Sequence, residues 1–180
     1  MSDVTNKIIL LLGGARSGKS AYAQELAILA GSRVLFCATA EVLDGEMRSR
    51  IGKHRMSRPP GWETVEASMD IGKALAHQAS EYDVIIIDCI TILVANVMGE
   101  GTEAEKAESS VSDEILGLID LLKRKQSNYI LVSNEAGSGL VPDNRLGRLY
   151  RDELGKTNQK LAAISDEVYL LTAGIPLKLK

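Results

Sequence analysis

The feature that most constrains this chain is a run of eight residues near its start, Gly13-Gly14-Ala15-Arg16-Ser17-Gly18-Lys19-Ser20. The run fits the pattern G-x-x-x-x-G-K-[ST] in full. An apolar segment, residues 8–12, precedes it and predicts a buried parallel strand. Residues 20–30 are rich in Ala, Leu and Gln and predict a helix that ends at Gly31. A strand, a glycine loop and a helix in this order predict a phosphate-binding loop.

Each part of this loop has a predicted role. Glycines allow backbone N–H groups to converge on phosphate oxygens, and the N-terminus of the following helix adds a favourable partial charge. Lys19 is expected to reach the β and γ oxygens of a nucleoside triphosphate, and Ser20 to ligate Mg²⁺. Asp88 closes a second apolar run, residues 84–87, and is expected to hold the same ion through a water. The alternative for Asp88 is that it caps the next helix.

Strands and helices alternate along the rest of the chain. Strands are predicted over residues 33–38, 63–66, 84–88, 129–133 and 168–172, and helices over residues 68–80 with Ser68 as the cap, 112–125 and 142–165. Residues 39–61 are predicted to carry a short helix and a loop, residues 99–109 to be solvated, and residues 175–180 to form a hairpin on the sheet edge. The alternation predicts one α/β domain over residues 1–180, with a mainly parallel sheet, helices on both faces and a C-terminal antiparallel edge hairpin. Ligands of such sheets bind beyond the carboxyl ends of the strands.

Composition excludes several classes of partner. The 180 residues are 45% hydrophobic, which is enough for one core, and 21 Lys and Arg against 24 Asp and Glu give a net charge of −3. A chain with this charge has no broad positive field for nucleic acid or an anionic membrane. The first apolar run is too short for a secretory signal or a bilayer span, so we expect a cytoplasmic protein. Cys37 and Cys89 lack metal-type spacing and are expected to be reduced, buried thiols.

One histidine lies among cations, in the segment Lys53-His54-Arg55-Met56-Ser57-Arg58-Pro59. Three cations around one imidazole predict an anion site that contains a nucleophile. Cationic neighbours favour the neutral imidazole, which is the form that can attack phosphorus. Arg55 and Arg58 could hold the phosphates by forked hydrogen bonds. The alternative is an incidental loop histidine, while His77, on a predicted helix, is interpreted as structural.

Several further short sequence blocks occur along the chain in a fixed order. Together they make the sequence resemble the bifunctional adenosylcobinamide kinase and adenosylcobinamide-phosphate guanylyltransferase family. The match runs nearly end to end, and several ordered blocks are more specific than a phosphate-binding loop alone. Besides that loop, the blocks are Ala38-Thr39-Ala40, Glu46-Met47 before Arg50-Ile51, His54 with Arg58-Pro59, Trp62-Glu63-Thr64-Val65-Glu66, Asp88-Cys89-Ile90-Thr91 with Asn96, Ser133-Asn134-Glu135-Ala136-Gly137-Ser138-Gly139 with Val141-Pro142, and Arg148, Arg151-Asp152, Gly155 and Asn158-Gln159.

The resemblance implies two reactions on one RecA-like P-loop NTPase fold. A nucleoside triphosphate, GTP or ATP, phosphorylates the aminopropanol hydroxyl of adenosylcobinamide. GTP then places GMP on a histidine, which passes it to the new phosphate and so yields adenosylcobinamide-GDP and pyrophosphate. His54 matches that histidine, and Lys53 stands where some members have a second one. The resemblance also implies Mg²⁺, a homotrimer, and GTP contacts from the phosphate-binding loop together with Ala38, Thr39, Ala40, Arg55, Met56, Ser57, Arg58, Glu66 and Asp88.

Some questions stay open in the sequence. Glu135, directly after a predicted strand, is either a substrate or metal contact or a turn cap. The guanine-specific pattern Asn-Lys-x-Asp is not visible, so the preference for GTP rests on the resemblance. The alternatives to the two-reaction enzyme are a plain small-metabolite kinase without a covalent intermediate and a non-catalytic GTP-dependent switch.

Overall fold

The structure is a computed structural model of the chain and describes residues 6–40, 58–99 and 103–180. Its strands are β1 (Ile8–Gly13), β2 (Val34–Ala38), β3 (Glu63–Glu66), β4 (Val84–Asp88), β5 (Asn128–Val132), β6 (Glu167–Thr172) and β7 (Ile175–Lys178). Its helices are α1 (Lys19–Ala30), α2 (Ile71–Ala76), α3 (Ile90–Met98), α4 (Ala104–Lys123) and α5 (Arg145–Ile164), and a 3-10 turn covers Ala79–Glu81. Over these described ranges, no helix has both the length and the apolar character needed to cross a membrane.

The seven strands form one sheet in the order β3-β2-β4-β5-β1-β6-β7. All neighbouring pairs from β3 to β6 are parallel, and β7 is antiparallel to β6. This confirms the predicted mainly parallel sheet and its C-terminal edge hairpin. Because the parallel strands end at one edge, the segments that follow β1, β2, β4 and β5 lie together there.

Alternate residues of the central strands enter two separate cores, one on each face of the sheet. Leu11, Phe36 and Ile86 are buried with α1 on one face. Leu10 and Ile87 are buried on the other face with side chains of α2, α3, α4 and α5. Central strands that are buried on both faces read as continuous apolar runs, which explains why they were recognisable in the sequence. The predicted helices on both faces are confirmed.

Two helices differ from the sequence prediction. Helix α3 was not predicted, because its first residues are mostly β-branched and favour a strand by local preference. It is helical because Ile90, Leu93 and Val94 are all buried in one core, and tertiary packing overrides the local preference. Helix α4 begins at Ala104, so the predicted start of this helix near residue 112 is wrong, while the expected solvation of residues 99–109 holds for most of the described side chains. Ala107 is buried there, while the acidic residues around it face solvent.

Helix α2 is shorter than predicted, and Ser68 does not cap it. The residue before the helix is Asp70, with a φ of 52° and no side-chain cap of its own. A carboxylate from α4 takes that role, since Glu114 accepts hydrogen bonds from Asp70 N (2.7 Å) and Ile71 N (2.9 Å). The negative charge suits a helix N-terminus. A cap supplied from a distant helix has no signature in the local sequence.

A carboxylate on β6 carries a prediction about acid stability. Glu167 accepts hydrogen bonds from Lys7 Nζ (2.7 Å) and from the Tyr169 hydroxyl (2.5 Å), and Lys178 Nζ lies 3.4 Å away. These partners, Lys7 above all, lower the pKa of Glu167 from 4.5 to about 2. Because the folded-state pKa is the lower one, the stabilisation is complete above pH 4.5 and is lost as the pH falls toward 2.

The unfolding free energy of the wild type should therefore fall more steeply across that acid range than the unfolding free energy of Glu167→Gln. Urea denaturation at several pH values measures both curves. Parallel curves for the two proteins would contradict the assignment.

Candidate nucleotide-binding site

The phosphate-binding loop starts at Gly13, the last residue of β1, and ends in the first turn of α1. Gly13 and Gly18 have φ values of 151° and 98°, which side chains rarely adopt. A Cβ at Gly13 would lie 2.5 Å from the Leu171 carbonyl oxygen, and a Cβ at Gly18 would lie 3.1 Å from the Cα of Gly174. Gly174 also donates its N–H to the Ser17 carbonyl oxygen at 3.0 Å. The turn between β6 and β7 therefore supports the loop, a contact that the sequence pattern does not indicate.

Lys19 projects into the loop and is buried, with 7% of its surface exposed. Its Nζ donates to the carbonyl oxygens of Gly13 (2.9 Å) and Gly14 (2.7 Å), and the Ser17 Oγ lies 3.4 Å away. Burial lowers the pKa of Lys19, while the nearby Cys89 and Asp88 act in the opposite direction. These hydrogen bonds go to carbonyl and hydroxyl oxygens rather than to a carboxylate, so the cation is held where it can bind phosphate oxygens.

Ser20 and Asp88 meet beside this loop, as the sequence predicts. The Ser20 Oγ donates to Asp88 Oδ2 at 2.9 Å. Helix α3 begins after Cys89, whose own side chain does not cap it. The alternative that Asp88 caps this helix stays a prediction. A hydroxyl and a carboxylate that lie side by side are hard oxygen donors of the kind that Mg²⁺ prefers. The donor set therefore fits magnesium.

Thr39 is completely buried and links the ends of β2 and β4. Its hydroxyl donates to the Cys89 carbonyl oxygen and accepts from the Cys89 N–H, both at 2.8 Å. Asn96 of α3 donates through Nδ2 to the carbonyl oxygens of Thr39 (2.9 Å) and Ser68 (3.1 Å). Asn96 thus fixes the segments that follow β2 and β3. In the sequence, Asn96 is notable only as part of a family block. Its role in linking these segments becomes apparent only in the fold.

A row of predicted nucleotide contacts crosses three strands at the carboxyl edge. Ala38 is in register with Glu66 of β3 on one side and with Asp88 of β4 on the other. Arg58 lies nearby, with its guanidinium 3.6 Å from the centroid of the Phe36 ring and its Nη1 donating to the Thr64 hydroxyl at 3.0 Å. Phe36 belongs to the core on the α1 side of the sheet, so this face carries the Arg58 side chain.

The predicted nucleophile segment is only partly described. His54, Arg55, Met56 and Ser57 lie outside the described residues. Their assigned roles stay predictions, as do the nucleotide contacts of Ala38, Thr39, Ala40, Arg58 and Glu66. Among the described members of this set, Ala38, Glu66 and Asp88 end neighbouring strands at the same edge of the sheet.

Glu135 is a turn cap, which is one of the two roles that the sequence left open, while its contact with substrate or metal stays a prediction. Its backbone N–H donates to the Gly13 carbonyl oxygen at 3.0 Å, which places it against the phosphate-binding loop. Its Oε1 accepts from the backbone N–H groups of Gly137 (2.7 Å) and Ser138 (3.2 Å). The carboxylate is therefore a turn cap and at the same time a neighbour of the loop.

Two arginines of α5 hold the segment that follows Glu135. Arg148 Nη1 donates to the carbonyl oxygens of Pro142 (3.0 Å) and Asp143 (2.7 Å). Arg151 Nη1 donates to the Gly139 carbonyl oxygen at 3.3 Å. The sequence marked both arginines as parts of a block, and in the fold they shape the connection between β5 and α5.

The two cysteines are free thiols. Burial raises the pKa of Cys37 to about 12 and the pKa of Cys89 to about 11. Both thiols therefore stay protonated at neutral pH and are poor nucleophiles.

The glycine loop, the buried lysine and the Ser20–Asp88 pair at the carboxyl edge of a mainly parallel sheet define a P-loop nucleotide-binding protein. Among solved structures, the fold is similar to that of the RadB recombinase, with a TM-score of 0.51 over 91% of this chain and 73% of that chain. The sequences are only 13% identical, so the similarity concerns the fold alone. It agrees with the RecA-like fold that the resemblance implies.

The sequence comparisons are more specific. The family model described as cobinamide kinase / cobinamide phosphate guanyltransferase matches residues 9–179. The bifunctional adenosylcobalamin biosynthesis proteins CobU of Salmonella typhimurium (strain LT2) and Escherichia coli (strain K12) are 40% and 38% identical, each over 96% of this chain and 99% of the relative. The protein CobP of Pseudomonas aeruginosa is 37% identical over 95% of this chain and 96% of its own length.

The chain therefore belongs to the cobinamide kinase / cobinamide phosphate guanyltransferase family. It is an enzyme with the kinase and nucleotidyltransferase chemistry of that family, as the resemblance implied.

Proposed function

We propose that this enzyme phosphorylates adenosylcobinamide with a nucleoside triphosphate and then transfers GMP from GTP, through a guanylyl-histidine, to adenosylcobinamide phosphate. The products of the second reaction are adenosylcobinamide-GDP and pyrophosphate. The observation that carries the proposal is the buried Lys19 beside the Ser20–Asp88 pair, in a chain that its bifunctional relatives match over almost all of its length. One loop would bind the triphosphate in both reactions.

In the kinase reaction, the acceptor hydroxyl attacks the γ-phosphorus and the nucleoside diphosphate leaves. Lys19 donates to the β and γ oxygens, and the backbone N–H groups of the loop hold the phosphates in line. Ser20 and Asp88 would hold Mg²⁺, Asp88 through a water, and when bound the ion neutralises charge on the phosphate oxygens. GTP and ATP are both candidate donors for this step.

In the transferase reaction, a ring nitrogen of His54 attacks the α-phosphorus of GTP. The bond from that phosphorus to the bridging oxygen breaks, and pyrophosphate leaves while Lys19 offsets its charge. An oxygen of the acceptor phosphate then attacks the same phosphorus, and the P–N bond breaks to restore the imidazole. The covalent intermediate allows two large substrates to use the site in turn. Arg55 and Arg58, which follow the histidine closely in sequence, support this role.

Covalent labelling tests the proposal directly. The protein is incubated with Mg²⁺ and GTP labelled at the α-phosphate, denatured, and challenged with acid or alkali. We expect label that is acid-labile, alkali-stable and absent from His54→Ala, because a phosphoramidate forms only on that imidazole. His77→Ala is the matched control, since His77 is an exposed residue at the end of α2, and it should keep the label. No label on the wild type, with GTP binding intact, would favour the plain P-loop kinase.

We also propose that the chain forms a homotrimer in the cytoplasm. Exposed apolar side chains support an assembly: Ile28 and Leu29 of α1 are 58% and 84% exposed. Ile175 and Leu177 of β7 are also exposed, and their alternation places them on one face of the edge strand. The free thiols fit a reducing compartment. Sedimentation equilibrium measures the assembly, and a single-chain mass would contradict it.

A further inference from the structure

The position of Glu135 follows from the order of the strands. β5 lies between β4, which ends at Asp88, and β1, which ends at Gly13. Val132 of β5 is in register with Asp88 on one side and with Leu11 on the other. Glu135 comes three residues later, and its N–H donates to the Gly13 carbonyl oxygen at 3.0 Å. It therefore lies just beyond the sheet edge, between the strand with the metal-binding carboxylate and the loop that binds phosphates.

The hydrogen bonds of Glu135 fix the orientation of its carboxylate. Oε1 accepts from Gly137 N and Ser138 N, and this pair of bonds holds the side chain back against its own turn. Within residues 6–40, 58–99 and 103–180, Oε2 has no hydrogen-bond partner, and the side chain is only partly buried. One oxygen is thus anchored, and the other is left with lone pairs that can accept a proton.

The other carboxylates near this edge either have another hydrogen-bond partner or lie farther from the phosphate-binding loop. Asp88 accepts from Ser20 and belongs to the metal pair. Glu66 ends β3, which β2 and β4 separate from β5. Asp143 is exposed near the far end of the connection to α5, where its Oδ1 accepts from the Asn144 side chain at 3.2 Å. Among the described carboxylates, Glu135 alone combines contact with the phosphate-binding loop and an oxygen without a partner.

We propose that Glu135 is the catalytic base of the kinase reaction; this inference rests on the function proposed above. The proton of the acceptor hydroxyl moves to Oε2 as the hydroxyl oxygen bonds to the γ-phosphorus. The bond between that phosphorus and the β,γ-bridging oxygen breaks, and the nucleoside diphosphate leaves with the electron pair. The protonated carboxyl then returns its proton to solvent. The group that Glu135 recognises is therefore an alcohol on the acceptor.

The transferase reaction needs no such base. The transferase activity of a Glu135 variant is therefore an internal control for its kinase activity. His54 attacks as a neutral imidazole, and the second acceptor is a phosphate whose attacking oxygen is already ionised. Loss of the Glu135 base should therefore slow one reaction and leave the other unchanged. A residue that only supports the loop would affect both reactions, because both use the same triphosphate site.

Glu135→Gln is the decisive variant, because its amide oxygen still accepts from Gly137 and Ser138 but cannot take up the proton. We expect the kcat for adenosylcobinamide phosphorylation to fall by about 10²–10⁴-fold, which is the usual contribution of a general base. The KM for the nucleotide and the rate of covalent labelling from α-labelled GTP should stay near wild-type values. Asp143→Asn, the same chemical change in the same connection, should leave both reactions at wild-type rates.

Each other outcome overturns the assignment. Kinase turnover of Glu135→Gln near the wild-type rate would show that the base is elsewhere. Parallel loss of kinase turnover and labelling, with weaker nucleotide binding, would assign Glu135 to loop support instead. A wild-type protein that does not phosphorylate adenosylcobinamide would overturn the proposed function itself, and this failure is seen before any variant is compared.

Discussion

Lys19→Met is expected to slow both reactions by at least about 10²-fold, the cost of removing one preorganised donor from a developing charge. The ammonium group of Lys19 lies among the loop carbonyls, where it would donate to the γ-phosphoryl group in the kinase reaction and to pyrophosphate in the transferase reaction. Methionine retains an unbranched apolar stem but has no charge. The same substitution therefore removes transition-state stabilisation from two different chemical steps.

The fold should tolerate this substitution, so the loss of activity can be interpreted. Burial lowers the pKa of Lys19 below 10.5, which means that the folded state disfavours the ammonium form. The resulting penalty is fully present at neutral pH and declines as the pH rises toward 10.5, because the folded protein then releases the proton before the unfolded chain does. Methionine removes that penalty, and we expect the unfolding free energy of Lys19→Met to equal or exceed the wild-type value.

Initial rates of both reactions, together with urea denaturation, measure these effects. Lys73→Met is the matched control, because Lys73 lies on α2 with 85% of its side chain exposed, and its ion pair with Asp70 is at the surface. That control should retain both activities. A Lys19→Met protein that keeps one reaction at the wild-type rate would show that the two reactions use separate triphosphate sites.

Gly13→Ala is expected to lower the unfolding free energy by about 2–5 kcal/mol, from overpacking and backbone strain combined. The new Cβ would meet the Leu171 carbonyl oxygen at 2.5 Å and the Ser17 hydroxyl at 2.7 Å. The hydroxyl can rotate away, but the carbonyl belongs to the backbone of β6, which pairs with β1. The φ of 151° adds strain for any residue with a side chain.

Gly14→Ala is a control one residue away in the same loop. A Cβ at Gly14 would have no atom within 4 Å, and its φ is outside the left-handed region. We expect its unfolding free energy to stay within about 1 kcal/mol of the wild-type value, since a compatible Gly-to-Ala change acts mainly on the unfolded chain. Urea denaturation compares the two variants, and equal destabilisation would contradict the steric account.

The sequence predicts well those features that neighbouring residues determine. The loop around Lys19, the buried run before Asp88 and the C-terminal hairpin all have local signatures, and the structure confirms them. Helix α3 has no such signature, because its β-branched residues prefer extended structure and only burial makes them helical. The cap of α2 is also invisible locally, since Glu114 belongs to another helix.

The site shows the same division between local and distant contacts. Lys19, Ser20 and Asp88 were predicted from pattern and position, and the fold brings Ser20 and Asp88 within hydrogen-bond distance. The link from Thr39 to Cys89 joins two strands that are far apart in sequence, so only the strand order reveals it. Glu135 could be suspected from its place after a strand, but its anchored oxygen depends on backbone N–H groups whose positions no residue pattern specifies.

The contact between Gly174 and the phosphate-binding loop has a consequence for how the enzyme matures. On the ribosome the loop emerges before β5, β6 and residue 174, yet β1 pairs with β5 and β6, and Gly174 supports Ser17 and Gly18 from the turn after β6. A nascent chain that has not yet reached residue 174 holds the phosphate-binding sequence without its supporting neighbours. Tight nucleotide binding is therefore expected only from the completely folded domain. Nucleotide in the cell would then selectively stabilise chains that have completed folding.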